Sequence, residues 1–341
     1  HTYFPTPSAV VSVGSFTFLF APSFFGYEKS IQKRLIELGA NVDFFDERPA
    51  NTFWTKAFIR LYPKLSYIYT MRYYRIIYDK IQDKHYDFIF VVNIEAMPPA
   101  FLEKVKKDFS SARFILYMWD SIFNKKNTIH YLPYFNDIFS FDKTDCKKIP
   151  QIKFRPLFYI NEYETLARSV DFKYDLAFVG TAHSDRFALI QKVYKLIQSQ
   201  GLKCYFYLYL QNWKLFFWHK FKNPAFRKAH LKDFHYKALA KNELFEVIKK
   251  SRTILDIQHP KQSGLTIRTI EMIGARRKLI TTNSNIKEYD FYHPANIFIV
   301  DRECPVIPDD FFKMDYHQVN SDIYYKYSLD GWLDEIFTTL L

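Results

Sequence analysis

Residues Ser251–Thr282 read SRTILDIQHPKQSGLTIRTIEMIGARRKLITT. The pattern predicts a strand, a polar loop, a helix and a second strand. Thr253–Ile257 is a short, apolar, β-branched run of the kind that forms a buried strand. His259, Pro260, Lys261, Gln262, Ser263 and Gly264 break it, and Leu265, Ile267, Ile270, Met272 and Ile273 resume it at helical spacing before the strand Lys278–Thr282. Glycine at a strand-to-helix junction lets the backbone approach a ligand. The helix start presents N–H groups and a positive dipole end, which suits a diphosphate. Arg268, in the first turn, adds a fixed charge, and Glu271 lies three residues on, placed to accept the hydroxyls of a ribose. The same letters also serve an ordinary βαβ unit with a solvated Arg–Glu pair.

Outward from this stretch the same alternation repeats in both directions. Phe16–Ala21 is a buried-strand run, Ser23–Gly26 breaks it, a helix with Ile31, Leu35 and Ile36 ends near Gly39, and Val42–Phe45 is the next strand. A Tyr- and Arg-rich helical region spans Trp54–Asp83. Further strands are Asp87–Val92, Phe114–Met118, Asp137–Phe141 and Phe154–Leu157, with Asn93, Glu95, Trp119-Asp120-Ser121 and Asp142 just past their ends. Pro98 and Pro99 suit the first turn of a helix. The second half restarts at Tyr174–Val179, followed by Gly180–Arg186, where Ser184 or Asp185 is positioned to cap a helix running to Gln200. Lys203–Leu210 and Asn296–Val300 are strands, Asn242 is placed to cap Glu243–Lys250, and Ser328 to cap Leu329–Leu341. Uninterrupted apolar strands alternating with helices make parallel sheets, and ligands bind at their carboxyl ends. The expected fold is α/β, two Rossmann-like domains. The linker is expected near Ile160–Lys173, which divides the chain into 1–165, 166–328 and a C-terminal helix over 329–341 that returns toward the first domain.

The 341 residues carry 48 Lys+Arg against 36 Asp+Glu, a net charge of +12, which suits phosphorylated substrates, an anionic membrane or nucleic acid. Hydrophobic residues make up 48%, as in a globular chain. No apolar run is long enough to span a bilayer. The lead-in HTYFPTPSAVVSVGS lacks the charged start and apolar stretch of a signal peptide. Cys146, Cys204 and Cys304 form no CxxC or zinc pattern and fit free thiols in a reducing cytoplasm. One segment stands apart from the alternation. Asn212–Phe234, NWKLFFWHKFKNPAFRKAHLKDF, interleaves aromatics with Lys and Arg, as a helix in a membrane interface does, and Pro224 must end or kink it. Its aromatics serve equally as packing on the second domain. It carries no RNA-binding signature, and no nucleic-acid partner is expected.

YMWDS at Tyr117–Ser121, FSFDKTD at Phe139–Asp145, FVGTAHSDR at Phe178–Arg186 and LDIQHPKQSGLTIRTIEMIG at Leu255–Gly274 occur in this order. The set resembles bacterial glycosyltransferases of lipopolysaccharide and capsular polysaccharide biosynthesis, with a CgeB-like, group 1 glycosyltransferase domain. The resemblance runs from about Phe18 to the C-terminus. It implies the GT-B fold, two Rossmann-like domains facing across a cleft. It also implies a nucleotide-sugar donor held by the second domain, a glycan or lipid-linked acceptor on the side of the first, and no metal or other cofactor. A DxD motif after a strand is absent from the sequence. Position by position, it implies that Gly264, Leu265 and Thr266 meet the diphosphate, Arg268 adds charge and Glu271 holds the ribose. Gly180, Thr181 and Arg186 would line the donor side, with His259, Lys261, Gln262 and Ser263 near the phosphates or the sugar. Ser23, Gly26 and Trp119 would lie on the acceptor side. Such proteins work in the cytoplasm, some on the inner face of the membrane. The retaining pattern of two glutamates eight apart is not met, because Ser263 stands where the first would be.

Glycosyl transfer needs charge stabilisation of the leaving nucleotide and a base for the acceptor hydroxyl. Asp120 is the first candidate base and Glu95 the second, each just past a strand, and His183 the third. Asp120 serves equally as a helix cap or an Arg partner, Glu95 as a loop carboxylate, and His183 as junction polarity. His259-Pro260 is similar to the His-Pro pair of sialyl- and Kdo-transferases, which take CMP-activated sugars. That donor class, and a non-catalytic protein that binds sugar nucleotides or glycans, stay open on the sequence.

Overall fold

The alternating runs fold into two parallel sheets in a computed structural model, which describes residues 15–49, 63–122, 126–182, 185–260 and 264–338. The chain divides into two units, His1–Leu157 with Leu329–Leu341, and Phe158–Ser328.

The first unit holds β1 (Phe16–Ala21), β2 (Asn41–Asp46), β3 (Phe88–Val92), β4 (Arg113–Met118), β5 (Asp137–Ser140) and β6 (Ile152–Phe154), in the order β2-β1-β3-β4-β5-β6. Every neighbouring pair is parallel. The strands are apolar along their length because both faces are covered. Phe18, Phe20, Ile89, Val91 and Leu116 pack with Tyr74, Ile77 and Phe101 of the helices Pro63–Ile81 and Pro99–Asp108. Phe90 and Tyr117 point the other way, to the helix Leu329–Thr338. There the fully buried Trp332 meets Phe90 at 5.8 Å and Tyr117 edge-on at 4.8 Å between ring centroids. Arg34 grips Asp330 with two nitrogens, at 2.5 and 2.9 Å, and the buried Arg155 Nε lies 3.0 Å from Glu335 Oε2. These contacts fasten the C-terminal helix to its sheet.

The second unit holds β7 (Tyr174–Thr181), β8 (Cys204–Tyr209), β9 (Ser251–Asp256), β10 (Lys278–Thr281) and β11 (Ile297–Ile299), in the order β11-β10-β9-β7-β8, again all parallel. Within Asn212–Phe234, Asn212 Oδ1 accepts from Leu215 N at 2.9 Å and caps the helix Trp213–Lys222, which ends before Pro224. Phe216, Phe226 and Phe234 are buried in the core with Phe187 and Leu208.

Each expected strand is present, although β6 lies earlier than Phe154–Leu157. Helix starts differ more, because caps depend on side-chain geometry that spacing does not fix. The helix of the central stretch runs Ile267–Gly274, with Thr266 as its cap. Asn242 sits inside the helix Lys241–Lys249, and it is Glu243 that turns back, its Oε2 accepting from Ala240 N at 2.7 Å. Asp185 occupies the N-cap position of Arg186–Ser199 but makes no cap bond, since Arg302 takes its carboxylate. Ser184, like residues 54–62 of the expected Trp54–Asp83 helix, lies outside the described residues. Among the described residues no helix is long and apolar enough to cross a membrane.

Close packing in the second unit rests on Gly274. A Cβ there would come 2.5 Å from the Tyr159 ring. Tyr159 is fully buried and its hydroxyl donates to Tyr324 O at 2.9 Å, while the Tyr324 hydroxyl donates to Gly274 O at 2.7 Å. The ring therefore has nowhere to retreat. Gly274→Ala is expected to lower the unfolding free energy by about 1–3 kcal/mol, read as a lower urea midpoint at unchanged slope.

Candidate functional site

At the carboxyl end of β9, Asp256 is nearly fully buried. Its Oδ2 accepts from Thr266 Oγ1 at 2.6 Å and from Thr269 Oγ1 at 2.9 Å. Thr266 Oγ1 in turn accepts from Thr269 N at 3.2 Å. One carboxylate thus sets where the helix Ile267–Gly274 begins. Gly264 and Leu265 are buried just before it, and the Gly264 carbonyl accepts from the buried Asn283 Nδ2 at 3.3 Å. Arg268 Nη1 stands 3.0 Å from Glu271 Oε2, with Glu271 almost wholly buried. Burial raises the pKa of the Tyr163 hydroxyl, which also feels both residues, Glu271 raising it further and Arg268 lowering it. A ribose reaching Glu271 must share a carboxylate that already has partners.

Arg186, the first residue of its helix, spans two strand ends. Its Nε and Nη2 donate to Ile257 O at 2.8 and 2.5 Å, and Nη1 donates to Thr181 O at 3.1 Å. Burial pulls its pKa down, and Arg302 and Arg268 act in the same direction while Asp256 and Asp185 oppose it. Gly180 lets this happen: a Cβ there would stand 2.8 Å from the Phe178 ring and 3.4 Å from Arg186 Nη1. Arg302, beyond β11, was not foreseen. It donates to both Asp185 carboxylate oxygens at 2.9 and 2.8 Å, to Gln258 O at 2.6 Å and to Thr282 Oγ1 at 3.0 Å. Arginine in a polar loop has no periodicity to mark it, and only its place after a strand was available as a signal. His259 is exposed in the loop after β9. His183, Lys261, Gln262 and Ser263 lie outside the described residues.

In the first unit the candidates also gather past strand ends. Phe25 and Gly26 both take left-handed backbone, with φ 50° and 83°, before the helix Tyr27–Glu37. The buried Glu28 pins this turn, accepting from Phe24 N at 3.0 Å and from Ser23 Oγ at 3.4 Å. Phe24 lies 5.2 Å from the Trp119 ring. Asp120 is exposed, and its Oδ2 accepts from Asn93 Nδ2 at 3.4 Å. Its neighbour Ser121 donates to the buried Asp145, which also accepts from Ile122 N and Ser140 Oγ. This joins the YMWDS and FSFDKTD segments, with Asp142 capping the helix Lys143–Lys148. Glu95 pairs with Arg48, Oε2 to Nη2 at 2.5 Å.

A second unforeseen residue is Glu47, just past β2. It is fully buried, and its Oε1 accepts from three successive backbone N–H groups, those of Glu95, Ala96 and Met97. Its Oε2 is buried without a hydrogen-bond partner. Glu47 therefore holds the turn that carries Glu95. The rule that singled out Asp120 and Glu95, an acid directly after a strand, applies equally to it.

No family model and no curated protein matches the chain. Solved structures do match over nearly its whole length. HepE of Anabaena, in complex with UDP and glucose, superposes with a TM-score of 0.57 at 10% identity, covering 95% of this chain and 99% of that one. UDP-GlcNAc 2-epimerase from Methanocaldococcus jannaschii gives 0.55 at 9%, covering 96% and 99%. The apo form of the lipopolysaccharide outer core galactosyltransferase WaaB gives 0.50 at 12%, covering 96% and 100%. At such identities the likeness is one of fold, and the fold is GT-B, with one parallel, Rossmann-like sheet in each unit.

Burial pushes the Glu47 carboxyl up to about 7 from an ordinary 4.5, against the pull of its three N–H donors. The folded state therefore binds this proton more tightly than the unfolded chain. Stability from this group is complete below about 4.5 and is lost as pH rises through about 7. The loss is expected to reach about 3 kcal/mol. Urea midpoints measured from pH 5 to 8 should fall for the native chain, and Glu47→Gln should flatten the slope.

Proposed function

We propose that this chain is a glycosyltransferase that takes a nucleotide-sugar donor at the carboxyl edge of the β7–β11 sheet and passes the sugar to a bacterial surface glycan. The observation that carries the reading is Arg186. It is a partly buried guanidinium whose hydrogen bonds go to carbonyl and hydroxyl oxygens and not to a carboxylate. Its hydrogen bonds thus leave it without a carboxylate in direct contact, while Arg302 and Arg268 add to the positive field that the nearby Asp256 and Asp185 partly offset. An incoming diphosphate answers that field, aided by the start of the helix Ile267–Gly274. HepE, of the same fold, is described with UDP and with UDP-glucose, which makes a UDP-sugar the first donor to test. WaaB, also of this fold, is a lipopolysaccharide galactosyltransferase by its description, in keeping with a surface glycan as acceptor.

In this reading Arg186, Arg268 and Arg302 stabilise the leaving nucleoside diphosphate without a metal, and Glu271 accepts from the ribose. Asp120, exposed just beyond β4, takes the proton of the acceptor hydroxyl. Glu95 is bound to Arg48 and is the weaker base for that reason.

A thermal-shift panel of UDP, GDP, CMP and dTDP with their sugars, with and without EDTA, tests this. A UDP-sugar is expected to raise the melting temperature, EDTA to leave the shift unchanged, and Arg186→Ala, Arg302→Ala or Glu271→Ala to reduce it. Asp120→Asn is expected to keep the shift and lower donor turnover by about 10²–10⁴-fold. Absence of a shift with every nucleotide removes the reading. Conversion of UDP-GlcNAc to its 2-epimer, without loss of the sugar, would place the chain with the epimerases of this fold.

A further inference from the structure

The helix Trp213–Lys222 has two unlike sides. On one, Phe216 is 2% exposed and Lys220 Nζ donates to Ala229 O at 2.9 Å, so this side is fixed to the core of its unit. On the other, Trp213, Phe217 and Phe221 follow at intervals of four and are 57, 52 and 90% exposed. Trp218, 52% exposed, lies beside this stripe between Lys214 and Lys222, whose ammonium groups stand 5.8 and 5.4 Å from the Trp213 and Trp218 ring centroids. Four large aromatics at half exposure or more on ten residues are not surface scatter. Over Asn212–Phe234 the only acid is Asp233, against lysines and arginines at 214, 220, 222, 227, 228 and 232.

These features select the occupant. A second copy docking on the same face would set two strongly basic surfaces against each other. A nucleic-acid strand is held in a basic groove with stacking platforms inside it, whereas this stripe runs along the outward face of a helix. A bilayer interface matches both properties at once, since indole and phenyl rings settle at the headgroup boundary while lysines meet lipid phosphates.

We propose that the helix Trp213–Lys222 is a monotopic contact with an anionic lipid bilayer, inserting Trp213, Phe217, Trp218 and Phe221 and pairing Lys214 and Lys222 with lipid phosphates. The helix begins four residues after the carboxyl end of β8, so the bound surface borders the sheet edge that carries Arg186. The contact stands on this unit's own surface and requires no substrate.

The test is co-sedimentation of the full chain with vesicles of phosphatidylcholine alone and of phosphatidylcholine with phosphatidylglycerol, with tryptophan emission recorded in parallel. Binding to the mixed vesicles with a blue shift is expected, and little binding to the neutral ones. Combining Trp213→Ser, Phe217→Ser and Phe221→Ser should lower the partition coefficient at least about tenfold. The pair Lys214→Glu and Lys222→Glu should do the same at low salt. Both variants keep Phe216, Phe226 and Phe234, and unchanged melting curves would show that the fold persists. Failure of the native chain to sediment with anionic vesicles at low salt overturns the proposal, as does equal binding by the triple variant. Loss of self-association or of RNA binding in the triple variant, with vesicle binding intact, would assign the stripe to that other partner and also overturn it.

Discussion

The hold of Asp256 on two threonine hydroxyls is the interaction on which the second unit's site depends. A parallel strand delivers its last side chain to the sheet edge, and here that side chain is a buried carboxylate with two O–H donors. A buried charge is tolerated only when such partners are in place. Satisfying Asp256 therefore fixes Thr266, and Thr266 fixes the first turn of the helix that follows.

Charge at this edge is arranged in two ways that differ in consequence. Arg302 is neutralised in contact, through both oxygens of Asp185, and its remaining donors lace three strand ends together. Arg186 is held by backbone carbonyls and the Thr181 hydroxyl, with no carboxylate among its hydrogen-bond partners. Binding an anion at the second kind of arginine costs no existing ion pair. The first unit shows the acidic counterpart: Glu47 spends one oxygen on three N–H groups, while Glu95, on the turn so fixed, answers Arg48.

The strands were legible in the sequence because a strand covered on both faces is apolar without interruption, and eleven such runs reproduce the two sheets. Residues immediately after strands were legible for the same reason, which brought Asp120, Glu95, Arg186 and the Gly264–Glu271 stretch to notice. Contacts made across several strand ends were not. Arg302 touches residues 117, 44 and 20 positions away, and no local pattern encodes such a meeting. Caps failed where two neighbours compete for one role: Asn242 has the better capping side chain, yet Glu243 folds back to Ala240. The composition of Asn212–Phe234 fits either a membrane-interface helix or core packing, and the structure shows packing for Phe216, Phe226 and Phe234 while Trp213, Phe217, Trp218 and Phe221 stay exposed.

The C-terminal helix has a consequence for biogenesis. Trp332 fills one face of the first sheet, against Phe90 and Tyr117, but it is synthesised only after the whole of Phe158–Ser328 has emerged. At ribosomal elongation rates that interval is roughly ten to thirty seconds. During it the nascent first unit exposes an apolar sheet face that its own covering helix cannot yet reach. A chaperone able to shield that face matters most in this interval, and the second unit, continuous in sequence, can finish folding before the first.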